Sequence, residues 1–130
     1  MPEVNVLVII VAAVVVFFVG FTYYAVLGGQ LAEVSDAAAA GGQSPPWKMA
    51  VEFSRGLILA AVIAGLASAA DIDDWTGGLL LGLALWIGFP FVLWAGAVIH
   101  ENTPLTLAAI HAGDWLVKLP LVAVIVSVWP

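Results

Sequence analysis

The sequence predicts an all-α fold, an integral membrane up-and-down four-helix bundle, and three observations carry that reading. Of 130 residues, 64% are hydrophobic and 9% charged, and the mean hydropathy is +1.15. A monomer of this size would need several times as many charges to cover a soluble surface. Four apolar runs each reach the roughly 20 residues that a helix needs to cross the hydrocarbon layer. Two of the connections, Asp71 to Asp74 and His100 to Thr103, are short enough to force antiparallel neighbours. Residues 1–130 therefore read as a single membrane domain.

The first run, Val4 to Leu27, lacks a basic leader, is too long for a signal peptide's apolar region, and ends in Tyr23 and Tyr24 rather than a small-residue cleavage motif. It reads as a retained helix. Residues 28–46, rich in Ala and Gly and carrying Glu33 and Asp36, read as a flexible loop. The second helix, Trp47 to Ala70, follows Ser44 and Pro45, an N-cap side chain ahead of a proline that is harmless in a first turn. Asp73 or Asp74 can cap the third, Trp75 to Ile99, and Thr103 before Pro104 marks the start of the fourth, Leu105 to Trp129. Trp47, Trp75, Trp129 and the Tyr pair fall near helix ends, where interfacial aromatics gather. Gly56, Ala60, Ala64 and Ser68 recur every four residues, and Gly78 and Gly82 form a GxxxG pair, so these faces are expected to meet other helices within the bundle.

Charge narrows the function classes. A net charge of −6 with three Lys plus Arg argues against nucleic acid and against polybasic attraction to anionic lipid. The absence of Cys removes disulfides and thiolate metal sites. The bilayer itself is the expected partner, with a homo-oligomer or a second membrane protein beside it. The expected location is the cell membrane, multi-pass, with both termini on one side. Lys48 and Arg55 place the polar face in the cytoplasm by the positive-inside rule, and hence the termini outside.

His111, Asp114, Trp115 and Lys118 recur at helical spacing in the middle of the fourth apolar run. An ionisable group in hydrocarbon costs a few kcal/mol on insertion scales, so these must face protein, water or each other. Antiparallel topology brings the end of the first helix, the start of the second, the end of the third and the start of the fourth to one face. Glu52, Arg55, His111, Asp114 and Lys118 then form a candidate buried polar cluster, rimmed by Tyr23, Tyr24, His100, Glu101 and Asn102. Arg55 and Asp114 lie about two turns inside their helices from that face and are expected to pair; Lys118, deeper, reaches back to Asp114 at i−4 or loses its proton in a dry site. Pro120 cannot donate to the carbonyl of Leu116 and is expected to bend the helix. A register-fixing ion pair is the plainer alternative for Arg55 and Asp114, and a wet turn for His100 and Glu101. Trp86, Trp94 and Trp115 read as packing or lipid-facing residues. His100 and His111 sit at different depths, which disfavours haem, and His-x-x-Asp has no strong metal specificity. No cofactor and no metal is expected.

Three stretches carry a resemblance. Trp86-Ile87-Gly88-Phe89, His100-Glu101-Asn102-Thr103-Pro104-Leu105 and Ile110-His111-Ala112-Gly113-Asp114-Trp115-Leu116-Val117 resemble the second half of the DUF1761 family of small bacterial and fungal membrane proteins. Tyr23-Tyr24-Ala25-Val26-Leu27-Gly28-Gly29-Gln30 is similar, more loosely, to the family's aromatic and glycine motif at the end of its first helix. The family usually shows Asn-Ala-Gly-Tyr-His where this chain has His111-Ala112-Gly113-Asp114-Trp115, so His111 stands at its Asn position and Asp114 at its Tyr position. The resemblance implies four membrane helices over nearly the full length and brings no established activity.

Three function classes fit these residues. One is a small transporter or channel component whose Arg55, His111, Asp114 and Lys118 handle a proton, an ion or a small solute, and which would need to oligomerise to make a pore. The alternative is an accessory or interaction subunit, or a lipid-headgroup-binding module, without transport. An intramembrane enzyme using His111 and Asp114 as acid and base comes last, because no nucleophile or metal set accompanies them.

Overall fold

The computed structural model describes residues 4–34 and 46–130. Helix α1 spans Val6–Val34 and α2 Pro46–Ala69; α3, Trp75–Trp86, continues through a π-helical turn, Ile87–Phe91, into α4, Val92–Glu101; α5 spans Leu105–Val128. With α3, the π turn and α4 forming one rod, four helices are long and apolar enough to cross a membrane. The four-helix, all-α architecture agrees with the expectation.

Local chemistry explains most boundaries. The Asp74 carboxylate accepts from the Gly77 amide at 2.9 Å and caps α3, while Asn5 does the same for α1 through the amides of Leu7 and Val8. Asp71 and Asn102 adopt left-handed conformations, both at φ 55°, and end the helices before them. The amide of Ile72 reaches back to the carbonyl of Ala67, and that of Thr103 to Ala97, so orphan carbonyls at both helix ends are satisfied.

Two expectations need correction. Helix α1 runs on to Val34, so residues 28–34 are helical rather than loop; the apolar turn from Ala25 to Leu27 continues through Gly28 and Gly29, and no glycine takes a positive φ among the described residues. The rest of the expected loop, with the Ser44 and Pro45 cap, lies outside the described residues. Thr103 does not cap α5: the cap position belongs to Pro104, with no side-chain hydrogen bond. Pro120 sits inside α5 without ending it. Pro90, by contrast, coincides with the π turn. Proline cannot donate to the carbonyl one turn back, and a wider turn accommodates the missing bond and the ring.

The bundle is organised around α5, which packs against α1, α2 and α3, whereas the α3–α4 rod rests chiefly on α5. Two four-residue ridges on α5 account for this. Asp114, Lys118, Val122 and Val126 are buried along one, against the α1 ridge of Val8, Ala12, Val16 and Gly20. Leu119, Ala123 and Ser127 form the other, and α3 approaches it through glycine: a Cβ on Gly82 would lie 2.6 Å from the Pro120 nitrogen, and one on Gly78 2.9 Å from Ser127 Oγ. Gly56, at the head of the small-residue stripe on α2, faces Ala13 and Val16 of α1. The small-residue faces thus serve packing inside the bundle. Phe89 and Leu93, each 69% exposed, look outward, as suits a surface bathed in lipid.

The glycine seam makes a prediction. Gly82→Ala forces α3 away from α5 and should cost about 1–3 kcal/mol, the usual range for overpacking, whereas Gly88→Ala meets nothing within 4 Å and should leave the melting temperature in detergent unchanged.

Candidate functional site

The buried polar residues of the fourth span assemble with α1 and α2 into one connected network. Lys118 Nζ lies 2.9 Å from Asp114 Oδ2, one turn back on the same helix, and 3.7 Å from Glu52 Oε1 on α2. Both side chains of the closer pair are nearly sequestered, 10% exposed for Lys118 and 6% for Asp114. The Tyr24 hydroxyl donates to Asp114 Oδ2 at 3.0 Å and lies 2.9 Å from His111 Nδ1. A phenol has one proton to give. With that proton on the carboxylate, His111 must carry its own on Nδ1 and donate it to the Tyr24 oxygen. At the other end, Arg55 donates to Glu52 Oε2 at 2.7 Å. The chain of contacts therefore runs His111, Tyr24, Asp114, Lys118, Glu52, Arg55.

The expected pairing of Arg55 with Asp114 is not what forms. Arg55 faces outward from α2, with its side chain 57% exposed, and meets Glu52 one turn back on its own helix. Asp114 takes Lys118 instead, because an i, i+4 pair on one helix needs no alignment between helices. Buried Gly20 on α1 leaves room for this: a Cβ there would stand 3.3 Å from Lys118 Cε and 3.6 Å from Nζ. No sequence rule singles out Gly20, which sits on the Val8, Ala12, Val16 ridge.

Aromatic groups hold the polar network in place. Trp94 stacks on the His111 ring, centroids 5.1 Å apart and planes 14° from parallel. Trp86 donates its indole N–H to the Ala112 carbonyl at 2.8 Å, and Tyr23 its hydroxyl to the Ile110 carbonyl at 2.6 Å. Trp115 lies under Lys118, 5.4 Å from ammonium to ring centroid. None of these tryptophans is a passive lipid-facing residue. The π turn explains how both Trp86 and Trp94 reach α5. Eight residues of α-helix would leave them about 80° apart at roughly 100° per residue, and one inserted residue takes back about 100°. A lone Pro in an apolar run, with tryptophans four residues to either side, is the signal the sequence offers for this.

The sequence places Tyr23 and Tyr24 only at the rim. Because α1 continues ten residues beyond Tyr24, they sit inside the bundle and bond directly to α5. Gly113 admits Tyr23, since a Cβ there would meet its hydroxyl at 2.6 Å. The remaining rim candidates stay apart. His100 and Glu101 are exposed on the last turn of α4, and Asn102 serves as the left-handed helix end; among the described residues no hydrogen bond or ion pair joins them to the network. Lys48, also near that face, lies 5.6 Å from the Trp47 ring centroid.

These positions fall within a stretch that a protein-family model covers almost completely. The model, described as "Protein of unknown function (DUF1761)", matches residues 7–127. The chain belongs to the DUF1761 family. No curated protein and no solved structure matches it. Membership in DUF1761 accords with the four helices and leaves the chemistry to be argued from the site itself.

That chemistry has two bounds. A crevice between α1, α2 and α5, lined by Glu52, Arg55, Leu59, Trp115 and Lys118, encloses about 20 Å³, enough for about one water and not for a solute. Among the described residues no three His, Asp or Glu side chains converge as a metal site. The site can hold charge, a proton or a water.

A double-mutant cycle measures the pair. Lys118→Met strands the Asp114 carboxylate and should cost about 3–5 kcal/mol. Adding Asp114→Asn should recover much of that loss, and thermal unfolding of the four proteins in the same detergent gives the coupling.

Proposed function

We propose that the protein binds and releases a proton at the Asp114–Lys118 pair, in exchange with one membrane face through Glu52 and a crevice water. The supporting observation is the unbroken run of ionisable groups, each contact between 2.7 and 3.7 Å, from half-buried His111 to exposed Arg55. Ionisable residues inside spanning helices mark ion pathways and proton relays. Two carboxylates face two cations, so the resting site is neutral by formal charge, and one added proton makes it cationic. The size of the crevice favours a proton over an organic solute.

Each group has a part in that exchange. Glu52, half-exposed, meets water and approaches the Lys118 ammonium. Lys118 can turn between the two carboxylates, because its flexible stem lies against Gly20 with no side chain in the way. Protonation of Asp114 breaks its ion pair and leaves Lys118 to Glu52. Tyr24, held in turn by His111, donates to the same Asp114 oxygen that Lys118 meets and offers it a second hydrogen-bond partner.

Docking of a partner subunit is the second reading, favoured by one observation. The α3–α4 rod contacts chiefly α5 and leaves Leu80, Phe89 and Leu93 facing outward. A stoichiometric second protein retained by native mass spectrometry in detergent-free polymer would support that reading.

Infrared difference spectroscopy of the protein in lipid vesicles tests the proton reading. Lowering the pH should produce a protonated-carboxyl band that Asp114→Asn removes and Asp71→Asn, at the opposite turn, leaves intact. A pH-independent carboxylate at position 114 would refute it.

A further inference from the structure

The seam between α1, α2 and α5 opens a second time, at the other end of the molecule. There Val4 and Asn5 meet Ser68 and Ile72 of the α2–α3 region and Trp129 and Pro130 after α5, around a crevice of about 50 Å³, space for more than one water. Asn5 and Ser68 bring polar atoms to it. The two crevices thus lie on the same three helices, the first near their middle and the second at the end where α1 begins and α2 and α5 finish. On α2 they are separated by the segment between Leu59 and Ala64, about 7 Å at 1.5 Å per residue, and on α5 by that between Lys118 and Val126, about 12 Å.

The layer between them is sequestered and built of short apolar side chains. Ala12, Ala60, Ala123 and Val122 are fully buried, and Ile63, 1% exposed, is the largest side chain sequestered there. Ile63 and Val122 are the bulkiest of these side chains, and alanines complete the layer. Alanine has no rotamers, so no neighbouring alanine can swing in to replace a displaced isoleucine.

We propose that this seam is a transmembrane proton path closed at a single hydrophobic layer, with Ile63 as its gate and the Asp114–Lys118 pair as its exchange site. The proposal rests on the proton reading above and adds a second opening, a route and a gating residue. The permeant is a proton carried by water and side chains, since neither crevice admits a solute. Lys118 gives one of its ammonium protons to Asp114 and, as the neutral amine swings to Glu52, regains one taken up there; the proton on Asp114 crosses to the Asn5 and Ser68 crevice when Ile63 moves aside and water enters the layer. Gating by dewetting of an apolar constriction is an established way to hold such a path closed.

The test is proton uptake into vesicles containing the full chain, read with a trapped pH dye under an imposed potassium diffusion potential. Ile63→Ala should raise the rate at least about tenfold over the unaltered protein, a barrier change of one power of ten, and Ile63→Ala with Lys118→Met should return it to the level of empty vesicles. Leu81→Ala, a similar truncation between α3 and α5, controls for leakage from a loosened fold and should give no increase. If Ile63→Ala does not fold, Ile63→Val replaces it, with a rise of about threefold expected on the same scale. Uptake by the Ile63 variant no faster than by Leu81→Ala overturns the path. The Asp114 infrared band in the same vesicles separates the two failures: with the band present, only the path falls. A fast Ile63 variant that ignores Lys118→Met and lacks the band overturns the proton site together with the route through it.

Discussion

An ammonium and a carboxylate buried side by side in an apolar helix constrain the rest of this molecule. Neither Lys118 nor Asp114 can be left in hydrocarbon without a partner, and separating them would cost several kcal/mol. Their i, i+4 placement settles the first partnership within α5. The remaining hydrogen-bonding capacity is met from the neighbours: Tyr24 from α1 and Glu52 from α2. For these to reach, α5 must lie between α1 and α2, and the α3–α4 rod must find its place on the face that is left. The central position of α5 is thus the structural consequence of its charges.

Small residues make that arrangement sterically allowed. Gly20 opens α1 to the stem of Lys118, Gly113 opens α5 to the Tyr23 ring, and Gly78 and Gly82 let the α3 backbone rest on Ser127 and Pro120. In a bilayer, where helices gain little from hiding apolar surface from water, close backbone approach and interhelical hydrogen bonds supply the association energy. The indole of Trp86 and the phenol of Tyr23 add such bonds, each to a second lone pair of an α5 carbonyl. The polar half of the bundle is held by hydrogen bonds and aromatic stacking, the other half by aliphatic packing around Ile63 and Val122. That division places the site at one side of the buried aliphatic layer and gives the two crevices their separation.

Much of this architecture is legible in the amino-acid sequence. Four helices, the Asp74 cap, the turns at Asp71 and Asn102 and the inward-facing glycines follow from hydropathy and local chemistry, because those signals act within a few residues. The cluster of Glu52, His111, Asp114 and Lys118 follows from topology, since antiparallel helices of similar length place their polar ends together. The partners within the cluster do not. Rotation of α2 about its axis turns Arg55 outward, and hydropathy carries no information on that angle when apolar residues surround the whole helix. The depth of Tyr24 is hidden because Gly28 and Gly29 resemble a helix end, whereas α1 runs another two turns, to Val34. The role of Trp94 is hidden because its approach to His111 depends on one extra residue in the π turn at Pro90.

The proposed separation of the two crevices can be measured directly in this chain, because it contains no cysteine. Single cysteines at Leu59, Ile63 and Ser68 would be exposed to a membrane-impermeant maleimide added to one side of sealed vesicles and then to the other. Leu59→Cys should label only from the face of Glu52, Ser68→Cys only from the opposite face, and Ile63→Cys from neither. Labelling of Leu59→Cys and Ser68→Cys from the same side, or ready labelling of Ile63→Cys in the otherwise unaltered protein, would contradict a sealed layer between two separate crevices.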